Sequence, residues 1–237
     1  MAERNDMVKQ AQVMAITPHP DDVEFGAAGT VAGLVARGKA VVYVVCTNGD
    51  KGTSDRSMKP ETLARTRQNE QRAAAKVLGV REVVFLGYGD QALEYTPEFR
   101  ERLVRLLRSY RPETVITVDP HQHYLWWHRD HRMCGEVVMD AIFPYARDHL
   151  AYPDMLSEGL EPHKVTELLL FNTGTPNYRV DITSTFDKKL AALMCHQSQV
   201  AEFSPQLKEK LREWAEDSAK EEEYGLAEAF HRVDMWW

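Results

Sequence analysis

The sequence predicts an α/β fold in which a mostly parallel β-sheet is covered by helices on both faces. Two observations support this prediction. Short apolar runs alternate along the chain with longer segments of helical periodicity, which is the pattern of repeated βαβ units. The apolar runs are also short and nearly continuous, as is typical of strands that are buried on both faces of a parallel sheet.

The individual elements follow from periodicity and from the residues that punctuate it. Pro60 and Pro97 stand where helices can begin, and Gly38, Gly79 and Gly87 stand near element ends, where a turn needs a positive φ. The predicted strands are Val13–Thr17, Ala40–Thr47, Val83–Leu86, Thr114–Val118 and Leu168–Asn172. The predicted helices are about Glu24–Arg37, Pro60–Leu78, Pro97–Ser109 and His131–Ile142.

The remaining segments are less regular. Residues 146–164 are rich in Pro, Gly and His and are predicted to form a long connection. Residues 205–224 form a charged pattern with one apolar stripe, which predicts a solvated helix packed on one side. No linker divides the chain, so we expect a polar N-terminal tail at 1–12 followed by a single domain at 13–237.

Composition excludes some classes of function. The 237 residues carry a formal net charge of −7, which argues against binding to a nucleic-acid backbone. The polar N-terminal residues lack the apolar region of a secretory signal, and no apolar stretch is long enough to span a membrane. Three well-separated cysteines fit reduced thiols better than a disulfide framework. We therefore expect a cytoplasmic protein that binds neither nucleic acid nor membrane.

Two clusters of histidine and aspartate follow predicted strands. His19-Pro20-Asp21-Asp22 comes directly after the first strand and before a helix. A second cluster, His128-Arg129-Asp130-His131, follows the fourth strand across a short loop. In open α/β sheets ligands bind outside the carboxyl ends of the strands, so both clusters are expected to face one crevice. Imidazoles and a carboxylate are the ligands of a catalytic zinc ion, which predicts a metal site there.

The two clusters resemble the paired signatures of the PIG-L/LmbE family of zinc-dependent N-acetylglucosamine deacetylases. The first cluster continues into Phe25-Gly26-Ala27-Ala28-Gly29-Thr30 as in that family. Three further stretches occur in the expected order, so that the similarity spans roughly residues 13–200. They are Thr47–Gly52, Arg67 with Glu70 leading into Ala73–Val80, and Lys188–Gln199. The resemblance implies an LmbE-like, Rossmann-like fold and a homo-oligomer, either a hexamer or a trimer.

The resemblance also implies roles for the cluster residues. It assigns one Zn²⁺ per chain to His19, Asp22 and His131, and the role of general base to Asp21. It makes His128 the donor to the oxyanion of the tetrahedral intermediate. Asp130 is expected to hydrogen-bond His128 and keep it protonated, although Asp130 also fits the N-cap of a helix beginning at His131.

Substrate contacts are implied for two further residues. Arg67 matches a family arginine that contacts sugar hydroxyls, and Asp90 matches a sugar-binding aspartate. Each also fits a surface ion pair. Near the end of the similarity, His196 and Gln199 match a His-x-Ser-Gln motif, for which packing or a subunit contact is as good an explanation as catalysis.

The approach to the second cluster departs from the family pattern. Residues 121–127 read His-Gln-His-Tyr-Leu-Trp-Trp, more aromatic than the expected glycine-rich stretch, and Arg129 replaces a proline. Trp126 is a candidate for stacking on a sugar ring, with packing under the loop as the alternative. His121 and His123 could form an extra metal site, or stack on the neighbouring aromatic residues.

These observations predict a metal-dependent hydrolase that removes an N-acetyl or other acyl group from an amino sugar or its conjugate. The alternative is a non-haem Fe(II) oxidoreductase, because two histidines and one carboxylate also form the ligand set of such enzymes. Asp21 favours hydrolysis, because those iron sites do not require a second carboxylate beside the ligand.

Overall fold

A computed structural model describes residues 9–121, 128–201 and 204–237, and it confirms the predicted α/β fold. Within these residues seven strands form one mixed sheet in the order β3-β2-β1-β4-β5-β7-β6. Strands β1 to β5 are mutually parallel, whereas β7 runs antiparallel to both β5 and β6. The strands are β1 (Val13–Thr17), β2 (Val41–Thr47), β3 (Glu82–Tyr88), β4 (Thr114–Val118), β5 (Glu167–Phe171), β6 (Tyr178–Asp181) and β7 (Ala227–Asp234).

Helices connect the strands and cover the sheet. They are α1 (Asp22–Gly26), α2 (Ala28–Ala36), α3 (Pro60–Leu78), α4 (Pro97–Tyr110), α5 (Arg129–Asp140), α6 (Asp154–Ser157), α7 (Phe186–Leu193), α8 (Gln197–Val200) and α9 (Ser204–Ser218). An irregular helical segment, Ala141–Ala146, continues α5. The prolines at 60 and 97 begin α3 and α4 as predicted, and Thr96 caps α4 by accepting a hydrogen bond from the Phe99 amide.

The structure corrects three predicted helices and adds two strands. The helix predicted from Glu24 is two helices, because the backbone departs from helical angles at Ala27 (φ −146°). Helix α5 begins at Arg129 rather than His131, since His128 provides its cap. The charged C-terminal helix ends at Ser218, before the predicted Tyr224. Strands β6 and β7 were not predicted, and they complete the sheet beyond β5.

The predicted long connection is held by one buried side chain. Arg108, at the end of α4, donates hydrogen bonds to five backbone carbonyls in the segment that follows α5. Because each buried carbonyl thereby gains a charged donor, this irregular chain satisfies its polar groups without regular structure. The accepting carbonyls belong to Tyr145, Ala146, Asp148, Ala151 and Tyr152.

Contacts at the N-terminal side begin before the predicted boundary at residue 13. The amides of Lys9 and Ala11 donate to Ser109 and Tyr110 at the end of α4, and Gln12 accepts from the Ala40 amide. Residues 9–12 therefore pack on the domain.

A glycine sets the distance between α5 and the sheet. A Cβ atom at Gly135 would lie 2.6 Å from the Val118 carbonyl and 2.8 Å from Pro120 Cδ. A larger residue would force α5 or the end of β4 to shift, so glycine permits the close approach that brings the start of α5 to the carboxyl end of β4.

No helix in the described part of the chain is long and apolar enough to cross a membrane.

Candidate active site

The two histidine-aspartate clusters meet at one edge of the sheet. Strand β1 pairs directly with β4 in parallel register, from Val13 opposite Thr114 to Ile16 opposite Thr117. The segments that follow the two strands therefore emerge side by side, as the sequence predicted. Together with the ends of β2, β3 and β5 they line a cavity of about 850 Å³.

His19, Asp22 and His131 form a compact set of donor atoms. Each offers one ligand atom, and these atoms all lie within 4.8 Å of one another. His131 Nε2 lies 3.1 Å from Asp22 Oδ1, and His19 Nδ1 lies 3.5 Å from Asp22 Oδ2. Ligands at about 2.0 Å from a tetrahedral zinc ion stand about 3.3 Å apart, so this spacing suits such an ion.

Carboxylates surround the other side of the His19 ring. His19 Nε2 lies 3.1 Å from Asp90 Oδ1 and 3.3 Å from Asp130 Oδ2. Burial alone would lower the pKa of His19, but Asp130, Asp22 and Asp90 outweigh it and raise that pKa well above its usual value. The same field favours a metal cation beside the ring, and a carboxylate on the second ring nitrogen is the usual support for a metal-bound histidine.

Asp22 is held as a carboxylate. Burial opposes ionisation, but His131 and His19 hold the pKa of Asp22 well below its usual value. Asp22 also accepts a 2.8 Å hydrogen bond from the His19 backbone amide, and it is the first residue of α1. Each of these contacts favours the charged form that ligation requires.

Asp21 occupies a strained position beside this set. Its φ of 96° places a non-glycine residue in the left-handed region of backbone conformation. Its carboxylate lies 3.3 Å from Arg67 Nη2, whereas the partners of the Asp22 carboxylate are His131 and His19. Burial raises the pKa of Asp21 to about 6, although Arg67 counteracts part of this rise.

A buried network that the sequence did not reveal supports the Asp21 backbone. The Asp21 amide donates to Gln71 Oε1 at 2.9 Å, and Gln71 Nε2 lies 3.1 Å from both carboxylate oxygens of Glu24. Glu24 Oε2 in turn lies 3.3 Å from His196 Nε2, and neither Glu24 nor His196 has any exposed side-chain surface. Of the predicted His-x-Ser-Gln motif, His196 thus belongs to the support of the site.

The neighbouring turn fixes the His196 segment to the same helix. Glu70, which precedes Gln71 on α3, accepts hydrogen bonds from the Ser198 amide at 2.8 Å and from Ser198 Oγ at 2.5 Å. The sequence carried one signal for this arrangement. Arg67 and Gln71 are polar residues that interrupt the buried stripe of α3, which is otherwise Leu63, Ala64, Ala74, Ala75 and Leu78.

The expected hydrogen bond between the Asp130 carboxylate and His128 is wrong. The Asp130 carboxylate accepts from the amides of Gln91 and Leu93 and faces His19. The Asp130 backbone amide instead donates to His128 Nδ1 at 3.1 Å, because His128 caps α5. The N-cap alternative for Asp130 is wrong for the same reason.

This cap determines the tautomer of His128. Since Nδ1 accepts a hydrogen bond, the neutral ring carries its proton on Nε2. Burial and the neighbouring rings of His19 and His131 lower the pKa of His128, so the neutral form is favoured over the protonated form that the sequence suggested.

Arg67 and Asp90 are buried, so the surface ion-pair interpretation of both is wrong. Arg67 is 4% exposed, and its guanidinium donates to the carbonyls of Pro20, Gly49 and Lys51. Asp90 lies between His19 and Arg67, and both Arg67 and Asp90 line the cavity. Their predicted contacts with a sugar stay predictions.

Trp126 and His123 lie outside the described residues, whereas His121 is exposed and its amide donates to Asp119.

The part of the chain that the structure describes also contributes a buried ion pair to the cavity wall. Lys189 Nζ lies 2.6 Å from Glu228 Oε1, and the Glu228 carboxylate accepts from the amides of Gly29 and Thr30. Lys189 and Glu228 are 39 residues apart in sequence, and no motif connects them.

The sequence is similar to known deacetylases over most of its length. Residues 14–142 match the PIG-L family, described as GlcNAc-PI de-N-acetylase. The chain is 36% identical over 198 residues to diacetylchitobiose deacetylase of Thermococcus kodakarensis, covering 84% of this chain and 72% of the relative. It is 28% identical to the "probable N-acetyl-alpha-D-glucosaminyl L-malate deacetylase 2" of Bacillus anthracis, covering 85% and 87%.

The fold agrees with a solved structure as well. N,N'-diacetylchitobiose deacetylase from Pyrococcus horikoshii, complexed with its inhibitor MPG, superposes with a TM-score of 0.89. The match has 32% sequence identity and covers 98% of this chain and 88% of that one. These relatives are deacetylases, so the alternative of an Fe(II) oxidoreductase is wrong. By the extent of the sequence match and the identity to these relatives, the chain belongs to the PIG-L family of de-N-acetylases.

Proposed function

We propose that this protein is a zinc-dependent N-deacetylase that hydrolyses the acetamide of an amino sugar or an amino-sugar conjugate. The observation that carries the proposal is the convergence of His19, Asp22 and His131 beside Asp21 and His128 in one cavity. The activities in the names of its relatives, which act on diacetylchitobiose and on a glucosaminyl malate, indicate the class of substrate.

The donor set fits the proposed metal. His19 and His131 offer imidazole nitrogens, Asp22 offers an ionised carboxylate, and three protein ligands leave room for water and substrate. His131 Nδ1 is buried without a hydrogen-bond partner among the described residues. The ring is therefore held by packing and by the contact of its Nε2 with Asp22 Oδ1. A zinc ion bound there would lower the pKa of water and polarise the amide carbonyl.

Asp21 is the proposed general base. Its carboxylate adjoins the donor set without belonging to it, and it lines the same cavity. The Arg67 guanidinium holds one oxygen, Oδ2, at 3.3 Å, which leaves Oδ1 to accept a proton from water. Arg67 thereby orients the base.

His128 is the proposed donor to the oxyanion. With Nδ1 bound to the Asp130 amide, its Nε2–H is available to the cavity that the ring lines. A neutral imidazole donor placed before the reaction stabilises the developing negative charge without reorganisation. Asp130 positions both histidines, through its amide for His128 and its carboxylate for His19.

The other expectations complete the proposal. Asp90, Arg67 and Trp126 are proposed to bind the sugar. We also propose a single deacetylase domain over residues 13–237, a cytoplasmic location and a homo-oligomeric assembly, hexameric or trimeric. The family resemblance supports the assembly, and the aromatic sequence at 121–127 supports the role of Trp126.

The decisive experiment measures acetate release from N-acetylglucosamine, diacetylchitobiose and N-acetylglucosaminyl conjugates. The protein should turn over at least one of them, lose activity with a chelator and regain it with Zn²⁺. Asp21→Asn should remain folded and metal-bound with kcat lowered by about 10²–10⁴, whereas Asn69→Asp, an exposed change on α3, serves as the control. Turnover of none of these substrates by metal-loaded protein would refute the proposed function.

A further inference from the structure

The cavity is polar on one side of the metal-binding set and largely apolar on the other. The polar side contains Lys51, Arg67, Asp90 and Gln91. The opposite side contains six apolar or small side chains from α1, α9 and β7, which are Phe25, Leu211, Trp214, Ala215, Ala227 and Ala229. Polar residues also lie on this side, and they are Asn172, Thr173, Ser218 and the pair Lys189 and Glu228.

The order of strands in the sheet places the polar side and the apolar side at opposite ends of the cavity. The polar residues follow β2 and β3, whereas β1 and β4 lie in the middle and lead to His19 and His131. Beyond them come β5 and then β7, which is antiparallel, so its first residues lie at the edge where the parallel strands end. Neighbouring strands are about 4.8 Å apart, so β7 lies about 14 Å from β1 along the sheet.

Helix α9 and strand β7 build the apolar wall. Leu211 and Ala215 are four residues apart, on one face of α9, and both are buried. Ala227 and Ala229 share one face of β7, where their small side chains leave space in the cavity. The indole of Trp214 adds an aromatic surface that is 39% exposed.

The apolar side of the cavity, between α9 and β7, is called the apolar arm below. The charges in its wall do not oppose an apolar occupant. Lys189 and Glu228 lie in its wall, but they neutralise each other at 2.6 Å. Glu228 is further occupied by the amides of Gly29 and Thr30, and Lys189 by the Phe25 carbonyl. Both charges are therefore satisfied within the protein.

We propose that this apolar arm binds the acyl group of the substrate, and that the enzyme prefers N-acyl amino sugars with an acyl chain longer than acetyl. An N-acyl amino sugar is likewise polar at one end and apolar at the other. The sugar with its hydroxyls is attached to the amide nitrogen, and the hydrocarbon chain is attached to the amide carbonyl. With the amide at His19, Asp22 and His131, the sugar faces Asp90 and the acyl chain faces Trp214. This inference rests on the proposed function.

The expected effect follows from the burial of methylene groups. Each buried methylene contributes about 0.8 kcal/mol, which corresponds to about fourfold in kcat/KM. N-butyrylglucosamine has two methylenes more than the acetyl compound, so its kcat/KM should be about fifteenfold higher. N-hexanoylglucosamine should be at least as good, until the chain passes Trp214.

The test measures free amine released from N-acetyl-, N-butyryl- and N-hexanoylglucosamine by zinc-loaded protein. Trp214→Ala should lower the ratio of hexanoyl to acetyl kcat/KM about tenfold, by removing the end of the arm. Ala215→Leu should lower the same ratio by filling the arm. Trp236→Ala, at a tryptophan that is 94% exposed and does not line the cavity, should leave the ratio unchanged.

Each outcome decides a separate question. Hydrolysis of the acetyl compound with a steady decline for longer chains would overturn the inference and leave the proposed function standing. Equal losses on all three substrates in Trp214→Ala would also overturn it. A change of molecular mass in solution with an unchanged ratio would assign the apolar face to a contact between copies of the chain. No turnover of any substrate would refute the proposed function itself.

Discussion

Replacing Gln71 by Ala tests whether the buried network behind Asp21 matters for catalysis. Gln71 touches neither the cavity nor the donor set, but its amide joins the Asp21 backbone to Glu24. The substitution leaves the Asp21 amide and the Glu24 carboxylate without this partner. Each unsatisfied buried group costs about 1–3 kcal/mol, so the free energy of unfolding should fall by about 2–6 kcal/mol.

The catalytic effect comes from the strained backbone at Asp21. A residue in that conformation costs about 1–3 kcal/mol and persists only while its surroundings hold it. Without the 2.9 Å bond to Gln71, residue 21 is expected to relax and move its carboxylate. A displacement of about 1 Å at a reacting group costs about 10²-fold, so kcat should fall by about that factor with KM little changed.

The assay combines kcat and KM on the best acylated sugar with metal content and urea unfolding. Ser198→Ala is the matched control, because it removes a 2.5 Å hydrogen bond to Glu70 on the same helix without touching Asp21. It should lower stability and keep kcat. A kcat within twofold of wild type for Gln71→Ala, or an equal loss in Ser198→Ala, would refute the positioning role.

Three further substitutions separate base, metal and packing. Asp21→Asn should lower kcat by about 10²–10⁴ with metal retained, and an unchanged kcat would place the base elsewhere. His131→Ala should lose the metal, so full occupancy by elemental analysis would remove His131 from the ligand set. Gly135→Ala should lower the free energy of unfolding by about 1–3 kcal/mol, since its Cβ would lie 2.6 Å from the Val118 carbonyl. An unaltered urea midpoint would show that α5 moves away at no cost.

The convergence of the two clusters could be predicted because it depends on short segments and on a general property of parallel sheets. His19 and His131 each follow an apolar strand, and the carboxyl ends of such strands share an edge. The sequence does not predict that β1 and β4 are neighbours in the sheet, and the structure shows that they pair directly. The donor set is therefore encoded locally.

The support of the site is not encoded in this way. Gln71 is 47 residues from Glu24 in sequence, and neither residue belongs to a motif that predicts the other. The role of Asp130 likewise depends on where α5 begins. Because the helix begins at Arg129, two residues before the predicted start, the Asp130 amide donates to His128. Boundary errors of one or two residues are usual from sequence, and here they change the chemistry.

Strand β7 escaped prediction for a different reason. Its sequence, Ala-Glu-Ala-Phe-His-Arg-Val-Asp, has few residues that favour strands by themselves. It is extended because it pairs with β5 on one side and β6 on the other, so its structure comes from its neighbours. Such a tertiary effect leaves no periodic signal in the sequence.

The anchoring of α2 by Glu228 has a consequence for synthesis of the chain. Ribosomes produce the three proposed metal ligands by residue 131, but the carboxylate that holds the Gly29 amide is 199 residues away from it in sequence. Until residue 228 has been made, the start of α2 lacks this acceptor, and β5 lacks its antiparallel neighbour. A nascent chain that has reached α5 therefore contains all three proposed metal ligands, whereas β5, β6 and β7 are still to be made and the sheet has an open edge at β4. The proposed ligands are thus synthesised well before the strand that pairs with both β5 and β6.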